Sequence, residues 1–163
     1  MNREKLLEEI TKTKEYLANV EKMLEECKYE RWKPKVNEKF WYIDSFGFVN
    51  YSLFMSETES RFKNYNCFQT KEEAEQETEK ILIRRQLEDI AKRLNKNNKI
   101  DWENRTQNKY LIYFNYGDEE IGTYSTMLLY KEQGAIYCLD KNFKDIAIEE
   151  IGEERLKRYL RGK

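Results

Sequence analysis

Apolar residues recur along the first 30 residues at intervals that alternate between four and three. This pattern indicates a helix, and Pro34 prevents that helix from continuing. We therefore predict one long helix over residues 3–29. It would be either a short coiled coil that forms a homodimer or an amphipathic helix folded onto its own domain. The positions of the pattern are Leu6, Ile10, Leu17, Val20, Leu24 and Cys27, with Thr13 in the one polar slot.

Aromatic and β-branched runs indicate β-structure over residues 38–69. Residues 40–43 predict a first strand and residues 48–54 a return strand. Asp44 and Gly47 give the four residues between them the chemistry of a tight turn. After a polar stretch, we expect a third strand near residues 61–68.

The clearest helix signal covers residues 70–95. Thr70 is followed three residues later by Glu73, which is the spacing of a capping box. A repeat of four, three and four residues supplies the buried stripe, and a polar stretch after Asn95 ends the helix. The stripe consists of Ile83, Leu87, Ile90 and Leu94.

The rest of the chain repeats the same order of signals. Residues 100–108 are expected to be irregular, and Asp140 and Gly152 are expected to begin and end a helix, with a short helix after it. The predicted strands are residues 109–116, 123–130 and 134–139, with a polar hairpin tip at residues 117–120.

These patterns predict an α+β fold, in which a long N-terminal helix precedes two βββα-like units with antiparallel sheets packed against helices. The units correspond to residues 38–95 and 108–163. We expect residues 1–30 to form the heptad helix and residues 31–163 one α+β domain. The strands near residues 40–43 and 110–116 are apolar on both faces, so both faces need cover from the domain, a second subunit or a partner.

Composition limits the chemistry that this chain can perform. It contains no His, which removes the commonest general base and the commonest metal ligand. Its three Cys are far apart, so neither a zinc site nor a disulfide framework is predicted. Its six Gly do not form a phosphate loop. We therefore expect a protein that is not an enzyme and holds no metal or cofactor.

Two acidic segments are the first candidates for contact with a partner. They would imitate the phosphates of a nucleic acid in a partner's basic channel, or they are solvated carboxylates that favour the helix dipole. The candidates are Glu72, Glu75 and Glu79 on the central helix and Asp118, Glu119 and Glu120 at the hairpin tip.

A basic and aromatic segment is the alternative candidate. Arg31, Lys33 and Lys35 surround Trp32, a mixture that could track a nucleic-acid backbone and stack a base. The other interpretation, which we prefer, is a linker whose Trp docks on the core and whose lysines stay solvated. The formal net charge of −1 does not favour nucleic acid, because dedicated binders carry a basic excess.

Five segments carry a resemblance to known proteins: residues 32–35 (WKPK), 40–43 (FWYI), 66–75 (NCFQTKEEAE), 136–143 (IYCLDKNF) and 150–154 (EIGEE). Together they resemble a family of small proteins from phages and prophages of low-GC Gram-positive bacteria. The resemblance brings no catalytic residues. It implies an accessory protein that acts by stoichiometric binding to a host machine, as anti-CRISPR proteins do.

The leading hypothesis is a non-enzymatic phage protein that binds and inhibits a host protein or ribonucleoprotein complex, above all a CRISPR-type defence nuclease. The alternatives are a nucleic-acid-binding accessory protein and a virion structural or assembly protein. The N-terminal pattern does not predict a signal peptide, and no apolar run is long enough to cross a membrane. We therefore expect the chain in the cytoplasm of the bacterial host.

Overall fold

Helix α1 spans Arg3–Glu26 and confirms the long N-terminal helix over that range. The computed structural model describes residues 3–26, 31–96, 98–127 and 129–162, so Cys27 lies outside the described residues. The chain divides into two compact units, residues 1–34 and residues 35–163. Ile10 and Leu17 of the heptad pattern are exposed on α1. Assembly into a homodimer through this face stays a prediction.

The second unit is a mixture of helices and short antiparallel strands, which confirms the α+β class. Its two sheets have two strands each, β1 paired with β2 and β3 paired with β4. The strands are β1 Lys39–Ile43, β2 Val49–Leu53, β3 Lys109–Asn115 and β4 Glu120–Thr126. The helices are α2 Glu59–Lys63, α3 Lys71–Asn95, α4 Phe143–Ile151 and α5 Glu153–Leu160, and a 3-10 turn covers Ser56–Thr58.

The predicted third strand at residues 61–68 is wrong. Helix α2 occupies its first residues, because Phe62 turns inward against the edge of the Phe54 ring, with 6.4 Å between ring centroids. Of these residues, Phe68 makes the one strand-like pairing, a single bridge to Trp41 with backbone hydrogen bonds of 2.9 and 2.8 Å. A bend between α2 and Phe68 therefore replaces the alternation of a strand.

The second predicted third strand, residues 134–139, is also reduced to one bridge. Cys138 exchanges backbone hydrogen bonds of 2.7 and 2.9 Å with Tyr110 of β3. The next backbone N–H, from Leu139, donates instead to the Asn95 side chain at 2.7 Å. The return strand β4 ends at Thr126, before the predicted residue 130. Thus both predicted βββα-like units contain a hairpin, one bridge and a helix.

Helix α3 begins where the capping box placed it. The Thr70 hydroxyl accepts a hydrogen bond from the Glu73 N–H at 3.1 Å, and the Glu73 carboxylate accepts from the Thr70 N–H at 3.3 Å. The helix ends at Asn95, as predicted. It packs under β1 and β2 and against α4 and α5, and its buried side chains share one core cluster with Ile121 of β4. Helix α3 is therefore the element that both hairpins share.

Helices α4 and α5 meet at Gly152, whose φ of 94° lies in the region that favours glycine. This confirms the predicted end of α4. Its start differs from the prediction, because Asn142 and not Asp140 is the N-terminal cap. The Asp140 carboxylate instead accepts a hydrogen bond from the Asn142 N–H at 2.8 Å and shapes the turn before the helix.

The core has two parts of different chemistry. Under the second hairpin it is a continuous cluster, mainly aliphatic. Under the first hairpin it is small, with the Phe40 and Phe54 rings in edge contact at 6.1 Å and Ala74 of α3 buried below. The members of the larger cluster are Ile83, Leu87, Ile90, Ala91, Ile121, Cys138, Phe143, Ala147, Ile151 and Leu156.

One lysine is fully buried at the start of β3. The Lys109 ammonium donates to the backbone carbonyls of Gln107 at 3.1 Å and Asn104 at 3.5 Å. It also lies 5.4 Å from the centroid of the Trp102 ring. A buried charge needs such partners, because leaving water is unfavourable for an ammonium group. Lys109 therefore fastens the irregular loop before β3 to the domain.

Candidate partner-binding groove

A groove of about 570 Å³ lies between the tip of the first hairpin, residues 64–66 and the N-terminal half of α3. We call it the hairpin groove. Large apolar side chains line it, and Phe46 and Tyr65 are 84% and 76% exposed. Its charged lining residues are Asp44, Glu77 and Arg85. The apolar members of the lining are Ile43, Phe46, Tyr65, Phe68, Ile81 and Leu82.

The hairpin tip is held by one carboxylate. Asp44 Oδ1 accepts hydrogen bonds from the N–H groups of Phe46 and Phe48, both at 2.9 Å. Its other oxygen accepts from the Asn50 side chain at 2.9 Å. Gly47 adopts a φ of 89°, which a residue with a side chain rarely does. The backbone that carries Phe46 is therefore fixed although its ring is exposed.

The opposite wall is held by an amide and contains a strained residue. Asn66 accepts from the Ile43 N–H at 2.8 Å and donates to the Ile43 carbonyl at 2.6 Å. Next to it, Tyr65 has a φ of 59°, a left-handed conformation that costs roughly 1–2 kcal/mol outside glycine. The conformation closes α2, because the Tyr65 N–H donates to the Phe62 carbonyl at 3.1 Å and the Asn66 N–H donates to the Arg61 carbonyl at 2.9 Å. These hydrogen bonds offset the cost and hold the exposed Tyr65 ring at the wall of the groove.

The outer face of the first hairpin is also aromatic. Trp41 and Tyr51 are cross-strand partners with ring centroids 5.6 Å apart, and the Lys39 ammonium lies 4.3 and 4.1 Å from these rings. Tyr51 is 62% exposed and Leu53 47%. Phe40, on the other face of β1, is fully buried. Of the two apolar faces that the sequence predicted for this strand, one is covered and one is largely open.

The structure brings the acidic residues of α3 together but pairs two of them with cations. Glu72, Glu75 and Glu79 line one groove of about 440 Å³, which also contains three basic side chains. Glu75 pairs with Lys71 at 2.7 Å. Glu79 pairs with Arg155 of α5 at 2.8 Å, and this hydrogen bond raises the pKa of the Arg155 guanidinium. The basic members are Lys80, Arg155 and Arg158.

The second acidic segment lies at the tip of the second hairpin and is not part of that groove. Asp118 accepts a hydrogen bond from the Asn115 side chain at 2.6 Å, so it helps to close the turn. Glu119 has a φ of 56°, and Glu120 begins β4 opposite Asn115. All three acidic residues are exposed.

The alternative basic segment is divided between the two units. Arg31, Trp32 and Lys33 belong to the first unit, and Lys35 begins the second. Residues 31–35 form neither helix nor strand. The Lys35 N–H donates to the Glu38 carboxylate at 2.6 Å.

The thiols and carboxylates show no arrangement for metal chemistry in the parts of the chain that the structure describes. There, no group of three or more Cys, Asp or Glu could hold a metal ion. Cys67 and Cys138 are free and buried. Burial raises the pKa of the Cys138 thiol, which keeps it protonated and unreactive at neutral pH.

The pattern of the sequence did not predict the hairpin groove. Phe46 stands inside a predicted turn, where a large apolar side chain has no core to enter, and this was the available signal.

The described helices include none with the length and apolar character that crossing a membrane requires. In comparisons with known proteins, no family model, no curated protein and no solved structure matches this chain.

Proposed function

We propose that this chain is a non-enzymatic accessory protein of a phage or prophage that binds a host protein or ribonucleoprotein complex and inhibits it. A CRISPR-type defence nuclease is the class of target that we favour. The hairpin groove is the observation that carries the proposal, because it presents exposed aromatic side chains on a fixed backbone. Aromatic residues in such positions dominate the energetics of protein interfaces.

The lining of the hairpin groove indicates what kind of partner surface it would bind. Its apolar lining and its volume of about 570 Å³ suit an inserted apolar side chain of a partner protein. Glu77 and Arg85 supply opposite charges beside that lining, which would select a partner with polar groups around the apolar one. Because Asp44 and Asn66 already fix the walls, little conformational entropy is lost on binding.

The inhibitory role rests on the resemblance to phage accessory proteins, and the groove supports only the binding step. A protein that inhibits by occupying a surface must act at about one copy for each target complex. This stoichiometry separates the proposal from catalytic inactivation of the target, in which one copy would act on many.

The test is a pair of double variants compared in capture and inhibition experiments. Phe46→Ser with Tyr65→Asn removes both rings from the groove. Asn tolerates the left-handed backbone better than Tyr, so the fold should be kept. Tyr124→Ser with Tyr130→Ser is the matched control, because these rings are 54% and 60% exposed elsewhere on the second unit.

We expect the unaltered chain to capture one defence complex from a related bacterial lysate and to inhibit its nuclease activity at about one equivalent. The groove variant should bind at least about tenfold more weakly, because two aromatic anchors of an interface are lost. The control should bind unchanged. Equal binding by both variants would exclude the groove, and a saturated complex with full activity would exclude inhibition.

The acidic residues allow a separate test of nucleic-acid mimicry. Glu72→Gln with Glu75→Gln removes two carboxylates and leaves the pair between Glu79 and Arg155 in place. Asp118→Asn with Glu119→Gln and Glu120→Gln removes the three carboxylates at the tip of the second hairpin. If either surface imitates phosphates, its variant should inhibit less at low salt. Unchanged inhibition by both variants would remove mimicry and leave the hairpin groove as the candidate.

A further inference from the structure

A second groove, of about 480 Å³, lies at the C-terminal end of α3. Its walls are the last turns of α3, the irregular loop after it and the segment that leads to the bridge at Cys138. We call it the lysine groove, and the residues that matter for its function are Lys92, Lys96, Lys99, Lys131, Trp102 and Tyr137.

Four lysines give this groove an excess of positive charge in a chain whose formal net charge is −1. All four are exposed, and within the described ranges none of them forms an ion pair. The remaining charged pair of the lining, Arg84 and Glu88, neutralises itself at 3.0 Å. The lysine groove thus keeps about four uncompensated positive charges, whereas the acidic groove of α3 contains three acids and three bases.

Two aromatic rings lie among these lysines. Trp102 is half-buried, and its ring centroid lies 5.1 Å from that of Tyr137, with 85° between the two ring planes. Lys109 lies against the same indole, and the Gln107 side chain donates to the Lys99 carbonyl at 3.3 Å and accepts from the Asp101 N–H at 2.7 Å. The loop that carries the indole is therefore held in place before any ligand arrives.

We propose that the lysine groove binds single-stranded nucleic acid. Exposed ammonium groups neutralise phosphates, and an aromatic ring beside them offers a surface on which an unpaired base can stack. A duplex keeps its bases inside, so it would use the lysines without the indole. An acidic peptide would likewise match the charges alone. The site differs from residues 31–35 and is independent of the hairpin groove.

The binding has a defined salt dependence. If all four lysines contact phosphates, the logarithm of the affinity should fall with the logarithm of salt concentration with a slope of about −3, since single strands give roughly −0.7 for each contact. Fluorescence anisotropy of a labelled oligonucleotide of about 12 nucleotides, titrated between about 50 and 200 mM salt, measures this slope.

Three charge-matched variants separate this site from general electrostatics. Lys92→Gln, Lys99→Gln and Lys131→Gln together should weaken binding by about tenfold or more and reduce the slope by about 2. Arg31→Gln, Lys33→Gln and Lys35→Gln remove the same charge from the basic and aromatic segment that the sequence offered as an alternative candidate. Lys14→Gln, Lys63→Gln and Lys141→Gln remove it elsewhere. The last two variants should bind nearly as the unaltered chain does.

The fluorescence of Trp102 would report base stacking, which contacts between lysines and phosphates alone do not produce. The chain has three Trp, so Trp32→Phe with Trp41→Phe leaves the groove indole as the single reporter. Stacking of a base should quench its fluorescence, whereas a duplex or an acidic peptide should bind without quenching. No binding at low salt, equal loss in all three charge variants, or binding without quenching would each overturn the proposal. None of these outcomes would affect the hairpin groove.

Discussion

The two hairpins share helix α3 but use their apolar residues differently. The second hairpin lies over a continuous cluster that includes Ile121, Phe143 and Leu156, all buried. The first hairpin buries Phe40 and Phe54 and leaves Phe46 and Phe48 in solvent, whereas the exposed rings of the second hairpin are all tyrosines, Tyr113, Tyr116 and Tyr124. The exposed rings of the first hairpin and its adjoining loop are Phe46, Phe48, Tyr51 and Tyr65.

This difference indicates a division of roles within one unit. In the second half, aliphatic burial supplies stability, since each fully buried side chain contributes about 1.5–3 kcal/mol. In the first half, exposed rings contribute little to stability, and the hydrogen bonds of Asp44 and Asn66 maintain the shape instead. Side chains that folding does not need are the ones that binding can use.

The largest expected effect comes from emptying either core. Phe40→Ala and Phe143→Ala each remove a ring that is at most 1% exposed, and each should lower the free energy of unfolding by about 3–5 kcal/mol. Urea unfolding, followed by Trp41 and by Trp102 in separate single-Trp chains, would measure the loss in each half. Because α3 belongs to both cores, we expect both probes to report one transition. Two separate transitions would mean that the halves are independent.

A smaller effect is expected at the start of α3. Thr70→Ala removes the hydroxyl that accepts the Glu73 N–H and should reduce stability by about 1 kcal/mol. Thr70→Ser keeps that hydroxyl and is the matched control. The cap lies beside the first hairpin. If Trp41 reported a shifted unfolding transition and Trp102 did not, α3 would not transmit the loss of stability to the second half.

The pair of Glu79 and Arg155 should contribute less than about 1 kcal/mol, because both side chains are partly exposed, at 40% and 35%. A double-mutant cycle with Glu79→Gln and Arg155→Gln measures the coupling, which should weaken as salt is added. Arg93 and Glu150, the corresponding link between α3 and α4, give a comparison with similar exposure. A coupling above about 2 kcal/mol would contradict this expectation, because it would mean that the pair behaves like a buried ion pair.

The smallest expected effect is a dependence on alkaline pH that arises in the second half. Burial raises the pKa of the Cys138 thiol and of the Tyr159 hydroxyl. The folded chain therefore keeps protons that the unfolded chain releases. This contribution is complete below the pKa of the unfolded thiol and is lost as pH rises through the folded value. Cys138→Ala should flatten the fall in stability at alkaline pH, and an unchanged profile would assign it elsewhere.

Local signals predicted the elements whose causes are local. The capping box of Thr70 and Glu73, the turn at Asp44 and Gly47, and the end of α4 at Gly152 all lie where the sequence placed them. The predicted strand at residues 134–139 failed because its replacement is long-range. The Asn95 side chain takes the Leu139 N–H from 44 residues away, and no local pattern shows that competition.

The candidate sites follow the same rule. Spacing along α3 placed Glu72, Glu75 and Glu79 on one groove, but Arg155, which pairs with Glu79 across 76 residues, is brought there only by the packing of α5. The lysine groove likewise needs Lys131 beside the end of α3. Sequence reasoning can find a surface that one helix provides, whereas a surface built from three segments emerges only with the fold.

Chemical labelling of the buried Lys109 amine can measure how often the surrounding loop opens. Reductive methylation or acetylation of the folded protein should modify the exposed lysines and spare Lys109, because its amine has no exposure to solvent and is hydrogen-bonded to the carbonyls of Asn104 and Gln107. A modified Lys109 would mark a molecule whose loop had left β3. The rate at which that label accumulates would report how often the loop beneath Trp102 detaches in the native protein.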